Sequence, residues 1–370
     1  MKKKIIVVSA VNLNVGGTLT ILRECLAYLS ELARYGNYNI VALVHKKELA
    51  YYDNIDYIEL PWAKKKWINR LWCEYVTMNR ISKELGSVYL WLSLHDTTPN
   101  VKAERQAVYC QTSFPFYKWN WRDFTFDYKI PLFACFTRFA YRINVHRNRF
   151  LVVQQSWLRD GFSKMLGVDK KKIIVAPPSN NRVKIVADKI ELPCVTFLYA
   201  AAPDCHKNFE VICRAAGLLE KELGSGKFKV IITAKGDENR YTRYLYKKWN
   251  SVDSVCFVGY LNKSELYGYY QAAHCLIHAS KVETWGLPIS EFMETGKPML
   301  LADLLYAHET AAGSKQTAFF PVTDAKTLKE EMKKIVLGDK TNLKNIPKIK
   351  LEEPQARSWE ELFEILLKEK

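Results

Sequence analysis

Two carboxylates stand out in the stretch KVETWGLPISEFMETGKP, residues 281–298: Glu283 and Glu291, with seven residues between them. The stretch follows an apolar run, HCLIHAS, and ends in Gly296-Lys297-Pro298. The apolar run reads as a strand, Gly286 and Pro288 as a turn and a helix start, and ISEFMET as the helix, stopped by Gly296 and Pro298. A helix dipole favours acidic residues near its N-terminus, so Glu291 has a structural reason to be where it is. Glu283, ahead of the glycine, has none, which makes it the first candidate for chemistry.

Further candidates lie in other loops. Gly16-Gly17-Thr18 opens the first long helical pattern, where glycines let backbone amides approach a ligand and a helix start favours phosphate. It is neither a Walker loop nor G-x-G-x-x-G, and a tight strand-to-helix turn explains it equally well. In PDCHKNFE, Lys207 precedes the next helical pattern and adds charge to its free amides, as a pyrophosphate site requires, although most lysines are simply solvated. His95, in SLHDTTPN, ends an apolar run, where a histidine bonded to backbone is the plain alternative. No D-x-D metal motif occurs in the chain, and no metal ligand or cofactor is expected beyond the substrate itself.

These residues need a scaffold. Short apolar runs (KIIVVSA, YNIVALVH, IDYIELP, SVYLWLSLHD, RQAVYCQ, RFLVVQQ, KKIIVAPP) alternate with helical patterns, and the alternation restarts at CVTFLYAAA, FKVIITAKG, SVCFVGYL, HCLIHAS and KPMLLAD. Strand–helix alternation predicts parallel, doubly wound α/β sheets, and 370 residues suit two such domains, divided near residues 178–184 at PPSNNRV. Ligands bind beyond the C-terminal ends of the strands of such sheets, and NLNVGG, HDTTPN, QTSFPF, PDCHKN and KVETWGLP all fall at that kind of end. Domains that face each other would line one cleft with them. The nine cysteines form no C-x-x-C pair, which argues for free thiols rather than a disulfide framework or a zinc ribbon. No apolar run reaches the 18 or so residues of a membrane span, and the N-terminal MKKKIIVVSA reads as a first strand rather than a signal peptide.

ETWGLPISEFMETGKPML resembles the EGFGLPxLEAMAxGxPV pattern of retaining nucleotide-sugar glycosyltransferases of family 4, of the bacterial surface-polysaccharide type. The glycine loop, the Lys207-Asn208 pair before a helix and the closing SWEELFEILLKEK are similar to that family as well. The resemblance implies a GT-B fold: a Rossmann-like acceptor domain over residues 1–180, a Rossmann-like donor domain over 184–351, and a final helix, 355–370, returning to the first. It implies that Glu283 bonds donor-sugar hydroxyls, that Trp285, Gly286, Leu287 and Pro288 flank sugar and diphosphate, and that Glu291 holds the ribose. Backbone near Tyr260 and Leu261 would meet the base, and Gly16, Gly17, Thr18 and Lys207 the diphosphate. The chemistry is coherent, since carboxylates accept from vicinal hydroxyls and lysine with amides can replace a metal on the leaving group. Two positions depart from the family. Ala201 stands where an arginine is common, and Gln111, in VYCQTSFPF, where many members carry a histidine near the transferred sugar. His95 in the neighbouring loop is then the remaining imidazole, and catalytic roles are expected of Glu283, Lys207, His95 and Gln111. The outcome would be hexosyl transfer with retention, without metal, from a nucleotide-diphosphate sugar.

Composition bears on the acceptor. The formal net charge is +16, with a surplus of ten in residues 1–150 and of six in the rest. Segment 115–150 interleaves Trp119 and Trp121 with Arg122, Arg138 and Arg142, and PWAKKKWINRLW sets Lys64, Lys65 and Lys66 beside tryptophans. Aromatics among bases suit an anionic membrane surface, and an acceptor such as a polyprenyl-diphosphate-linked glycan suits both charge and chemistry. The expectation is a cytoplasmic enzyme peripheral to the membrane. The rival readings are a nucleotide-sugar epimerase of related fold, which needs no basic lipid surface, and a basic nucleic-acid-binding protein, although no nucleic-acid module occurs.

Overall fold

The computed structural model describes residues 3–178 and 187–368, so the expected boundary at 178–184 lies almost wholly outside the described residues. Two compact units emerge. The first comprises Met1–Pro115, Cys135–Asn180 and Leu351–Lys370, and the second Phe116–Ala134 and Asn181–Lys350.

The first unit is built on seven strands: β1 (Lys4–Ala10), β2 (Tyr38–Val44), β3 (Ile55–Glu59), β4 (Val88–Ser93), β5 (Arg105–Tyr109), β6 (Phe150–Val153) and β7 (Ile173–Val175). They pair in the order β3-β2-β1-β4-β5-β6-β7, every pair parallel, with Lys4 opposite Tyr38 and Ala10 opposite Val44 in the β1–β2 register. The second unit has six: β8 (Val195–Tyr199), β9 (Phe228–Ile232), β10 (Val255–Phe257), β11 (Cys275–His278), β12 (Met299–Ala302) and β13 (Thr317–Phe320), in the order β10-β9-β8-β11-β12-β13, again parallel throughout. The sequence reading places twelve of these strands and misses β13, TAFF, whose short apolar run is cut off by Pro321. Parallel strands covered on both faces must be apolar along their whole length, and β4, β11 and β12 are buried at every residue. The fold expectation of two parallel-sheet α/β domains holds.

Each sheet has one switch point, where the strand order reverses and two neighbouring strands send their chains to opposite faces. Ligand sites form outside the strand ends there. In the first unit it lies between β1 and β4, followed by Gly16 and His95; in the second between β8 and β11, followed by Lys207 and Glu283.

Segment 116–134 departs from the simple picture of one first-domain surface over 115–150, because it clusters with the second unit. Its helix Trp121–Phe126 is closed by a capping box between Asn120 and Asp123. Asp123, buried, accepts from Lys281 Nζ at 2.8 Å; Arg122 pairs with Glu210 at 2.7 Å; the Phe126 ring meets Tyr241 edge-on at 5.1 Å. Nothing in the local sequence announces partners more than 80 residues away.

The chain end returns to the first unit. Helix Trp359–Leu367, capped by Ser358, buries Phe363 completely, stacked on Tyr28 at 5.4 Å, and sets Trp359 against Tyr109 at 5.9 Å. Truncating a fully buried phenylalanine removes its apolar burial and leaves a cavity, so Phe363→Ala should destabilise the first unit by about 3–5 kcal/mol. Denaturant unfolding should show an early transition for that unit while the second unit's transition keeps its midpoint.

Candidate functional site

At the switch point of the second unit two loops converge. The loop after β8 carries Lys207, and that after β11 carries Glu283; Lys207 Nζ lies 2.6 Å from Glu283 Oε1, both side chains largely enclosed. His278, the last residue of β11, is buried, with its ring edge-on between Tyr199 and Tyr306 and its Nε2 3.4 Å from the same oxygen. Burial alone would raise the Glu283 pKa, but the Lys207 ammonium and the neighbouring His278 ring outweigh it and hold the carboxyl well below the usual range. Glu283 is therefore a fixed anion at the sheet edge.

Main-chain bonds fix the two loops to each other. Lys281 N donates to His206 O at 2.8 Å. Asn208, left-handed at φ +61° before helix Phe209–Leu223, turns its amide inward and donates to Ala279 O and Val322 O. Tyr199 donates to Lys207 O, and Tyr306 OH to Ser280 O at 2.8 Å. A lysine with three protons spends one on Glu283 and keeps two for a ligand.

The helix that follows, Leu287–Met293, starts from Gly286 at φ +90°, a left-handed conformation that a side chain would strain. Trp285 O accepts from Thr310, Trp285 Nε1 donates to Ser290 Oγ at 3.2 Å, Pro288 sits in the first turn, and Leu287 is exposed. Glu291, on this helix, accepts from Tyr270 OH at 3.0 Å; burial raises its pKa, only partly offset by that bond. The structure thus brings Lys207, Glu283, His278 and Gly286 together on neighbouring loops, with Glu291 one helical turn further on. Tyr260 is exposed and Leu261 half-buried, in the loop that precedes helix Lys263–Ala272. Beside the Lys207 loop a recess of about 510 Å³ is lined by Arg122, Glu210, Arg214, Lys248 and Lys281.

The first unit gives a different outcome for its candidates. Gly16 takes φ +62° at the start of helix Gly16–Arg34, with open space where a Cβ would be, so backbone conformation rather than room selects glycine. Gly17 and Thr18 are exposed, and the Thr18 hydroxyl donates to Val15 O. His95 is fully buried. Its Nε2 lies 3.0 Å from Ser9 Oγ, which itself accepts from Trp91 Nε1 at 3.1 Å, and its Nδ1 lies 3.1 Å from Thr97 Oγ1 and 3.3 Å from Glu74 Oε1. Thr97 gives its proton to Glu74 Oε2, so the network assigns the ring proton to Nδ1. Glu74, on a wide π turn at Cys73–Thr77, also takes Arg70 Nε at 2.7 Å, and Arg70 Nη2 donates to His95 O at 2.7 Å.

His95 is a member of a buried polar network with Ser9, Thr97 and Glu74. Gln111 is half-buried and its side-chain amide donates to Leu94 O at 2.7 Å. Between them sits a residue that the sequence reading passed over. Asp96, left-handed at φ +70°, accepts from Gln111 N at 2.5 Å and Thr112 N at 3.1 Å, and burial pushes its pKa up to about 6. Its signal was an acidic residue directly after an apolar strand, which is common enough to be missed. His278 was missed because a histidine inside HCLIHAS reads as core.

Of the bases expected on a ligand-facing surface, Arg122 is instead committed to Glu210 and to the Tyr244 hydroxyl. Lys64 donates to Asn14; Lys65, Lys66 and Arg138 are exposed; Arg142 donates to Met165 O at 3.2 Å. Trp119 and Trp121 are exposed. Among the described residues no three His, Cys, Asp or Glu side chains come together as a metal cage.

The buried network makes stability depend on pH. Burial lowers the His95 pKa from 6.5 to about 4, against the opposing pull of Glu74. The unfolded ring takes a proton near 6.5 and the folded ring does not until about 4, so stability is lost as pH falls through that window. The loss amounts to about 3 kcal/mol at 1.36 kcal/mol per pKa unit. Asp96, raised to about 6, titrates with the opposite sign. The His95 contribution is therefore the difference between wild type and His95→Gln, and denaturant unfolding between pH 7 and pH 4 should show the steeper acid loss in wild type.

Residues 189–350 match the family model of the glycosyl transferases group 1. The O-antigen chain mannosyltransferase RfbU of Salmonella typhimurium is 24% identical over 231 residues, 62% of this chain, and the match spans 60% of that relative's length. Among solved structures, a sucrose-phosphate synthase from Thermosynechococcus elongatus superposes with a TM-score of 0.63 at 14% identity, over 93% of this chain and 92% of that one. The Anabaena protein HepE, solved in complex with UDP-glucose, gives 0.62 at 11% identity, over 90% and 89%. Both likenesses establish the fold. The Lys207–Glu283 pair and the helix carrying Glu291 lie inside the segment that matches the group 1 glycosyl transferases, and the two parallel-sheet domains match neighbours of GT-B fold.

Proposed function

We propose that this protein transfers a hexose from a nucleotide-diphosphate sugar to a glycan or lipid-linked glycan, with retention and without a metal. The observation that carries the reading is the Lys207–Glu283 pair at the switch point of the segment that matches the group 1 glycosyl transferases. The relative's name concerns mannosyl transfer and the HepE structure concerns UDP-glucose, so hexoses on UDP or GDP are the first donors to try.

The chemistry asks for one thing above all. The bond from the anomeric carbon to the diphosphate breaks, and the negative charge that appears on the departing oxygen must be met. Lys207 meets it with the two protons that Glu283 does not use. Glu283, held as an anion, accepts from sugar hydroxyls and fixes the ring. Glu291 accepts from the ribose diol. The acceptor oxygen attacks from the face the diphosphate leaves, and its proton passes to the departing phosphate oxygen. With alanine at 201 in place of a second cation, the leaving group depends on Lys207 and backbone amides.

Incubation with UDP- and GDP-hexoses should release nucleoside diphosphate, in EDTA as well as without it. Lys207→Ala should cost on the order of 2–4 kcal/mol of transition-state stabilisation. Glu291→Ala should weaken free nucleotide binding; Glu283→Ala should spare it and lower turnover. Equal losses of nucleotide affinity would sink this division of roles, strict dependence on magnesium or manganese would sink the metal-free reading, and sugar inversion without diphosphate release would favour the epimerase.

The acceptor reading includes an anionic membrane surface. Trp67, Ile68, Leu71 and Trp72 are all exposed on one side of helix Trp67–Trp72, directly after Lys64, Lys65 and Lys66. Phe136, Phe139 and Ile143 form a second exposed apolar row near Arg138 and Arg142. No helix among the described residues is long and apolar enough to cross a membrane. Peripheral attachment on the cytoplasmic face by basic residues at about 1 kcal/mol each, with tryptophans at the headgroup level, fits this pattern. Vesicles with anionic lipid should co-sediment the protein at low salt and release it at high salt, and Trp67→Ser/Trp72→Ser with Arg138→Glu/Arg142→Glu should abolish binding without changing donor affinity.

A further inference from the structure

The first unit has a recess of its own, at the opposite end of its strands from His95 and Gln111. It lies beside the N-terminal ends of β5, β6 and β7, encloses about 750 Å³, and is lined by Arg105, Arg147, Arg149 and Lys172 together with Glu104 and Asn148. Four cations face one carboxylate, and among the described residues none of the four forms an ion pair. Glu104 instead accepts from Ser87 Oγ at 3.1 Å.

The guanidinium groups are held in place by neutral partners. Arg105 donates to the main-chain oxygens of Leu367 and Lys368, at 2.7 and 3.1 Å, and lies over the Tyr89 ring. Arg147 Nη1 donates to Asn100 Oδ1 at 2.5 Å, and Arg149 lies over the Phe150 ring, 5.5 Å from its centre. Asn148, buried at the base, is fixed by Thr98 Oγ1 and Val145 O. Elsewhere the chain answers a converging cation with a carboxylate: Arg70 with Glu74, Arg122 with Glu210, Lys281 with Asp123. Here it orients the cations and leaves their charge unanswered, at a cost in mutual repulsion.

We propose that this recess is a binding site for a phosphate-bearing anion, a phosphomonoester or diphosphate, separate from the strand ends where donor chemistry is expected. Arginine forks match phosphate oxygens in pairs, and several on one recess favour a multiply charged group over a single carboxylate. The phosphate can come from a free small molecule or from a lipid headgroup.

The test is titration of the intact protein with inorganic pyrophosphate at low salt, in wild type and in Lys207→Ala so that the donor site is separated. Vesicles of phosphatidylcholine with and without phosphatidic acid form a second arm. Saturable pyrophosphate binding that persists in Lys207→Ala is expected. Arg147→Gln/Arg149→Gln/Lys172→Gln should weaken it at least tenfold, since hydrogen bonds to charged groups are individually worth about that much, while Lys340→Gln/Lys344→Gln/Lys348→Gln, an equal loss of charge at exposed lysines of the second unit, should change it less than twofold. Binding of both probes lost in the recess variant assigns either source. Binding of vesicles alone, lost in the recess variant and kept in the control, assigns the lipid. No saturable binding of either probe, or equal weakening in the two triple variants, overturns the proposal. If the recess triple does not fold, Lys172→Gln alone, an exposed residue, carries the test through the rise in melting temperature that pyrophosphate gives wild type, which it should reduce; an undiminished rise overturns the proposal.

Discussion

The bond between Lys207 and Glu283 joins two loops 76 residues apart in sequence, and the second unit is arranged around the need to make it. β8 and β11 are neighbours only because the strand order reverses there, and a parallel sheet sends both chains out at the same edge. A carboxylate and an ammonium this enclosed would each be costly alone, since removing one partner of a buried pair leaves an uncompensated charge. The surrounding bonds from Asn208, Lys281, Tyr199 and Tyr306 hold the loops so that the pair meets at 2.6 Å. Such preorganisation is what leaving-group stabilisation requires, because donors already in place need not reorganise as charge develops.

The first unit solves a similar electrostatic problem to another end. Its buried network also combines a cation, a carboxylate and a histidine, but Arg70, Glu74 and His95 point into the unit and satisfy one another. Glu74 stays charged there, because His95, Arg70 and Thr97 overcome the burial that would otherwise raise its pKa. What reaches the strand edge is Asp96, whose carboxylate takes the amides of Gln111 and Thr112 and so ties the loops after β4 and β5. Two histidines at the ends of apolar strands, His95 and His278, are both buried; His95 lies against Glu74 and His278 against Glu283.

Sequence pattern reached the fold and the second-unit site for the same reason. Strands buried on both faces show as continuous apolar runs, and site loops follow them directly, so finding β8 and β11 brings Lys207 and Glu283 with them. β13 escaped because its apolar run, AFF, is only three residues long before Pro321 ends it, shorter than the runs that mark the other strands. The allegiance of segment 116–134 was illegible for a different reason: Asp123 and Arg122 look like any solvated pair until Lys281 and Glu210 are seen opposite them. The enclosure of His95 was illegible because the end of a strand is where both ligand-facing and buried residues occur, and the positions of Ser9, Thr97 and Glu74 are not written in the local sequence.

Charge composition carries the same lesson. A surplus of ten in residues 1–150 says that cations are many, not where they are free. Arg122 and Arg70 are neutralised by carboxylates, whereas Arg105, Arg147, Arg149 and Lys172 gather at one recess with carbonyls, an amide and aromatic faces for company. A carboxylate neighbour lowers the field that a ligand anion feels; a carbonyl or a ring fixes the side chain and leaves most of its charge in place. The choice of partner, more than the count of bases, therefore separates cations that hold the fold from cations that remain available to an anionic ligand.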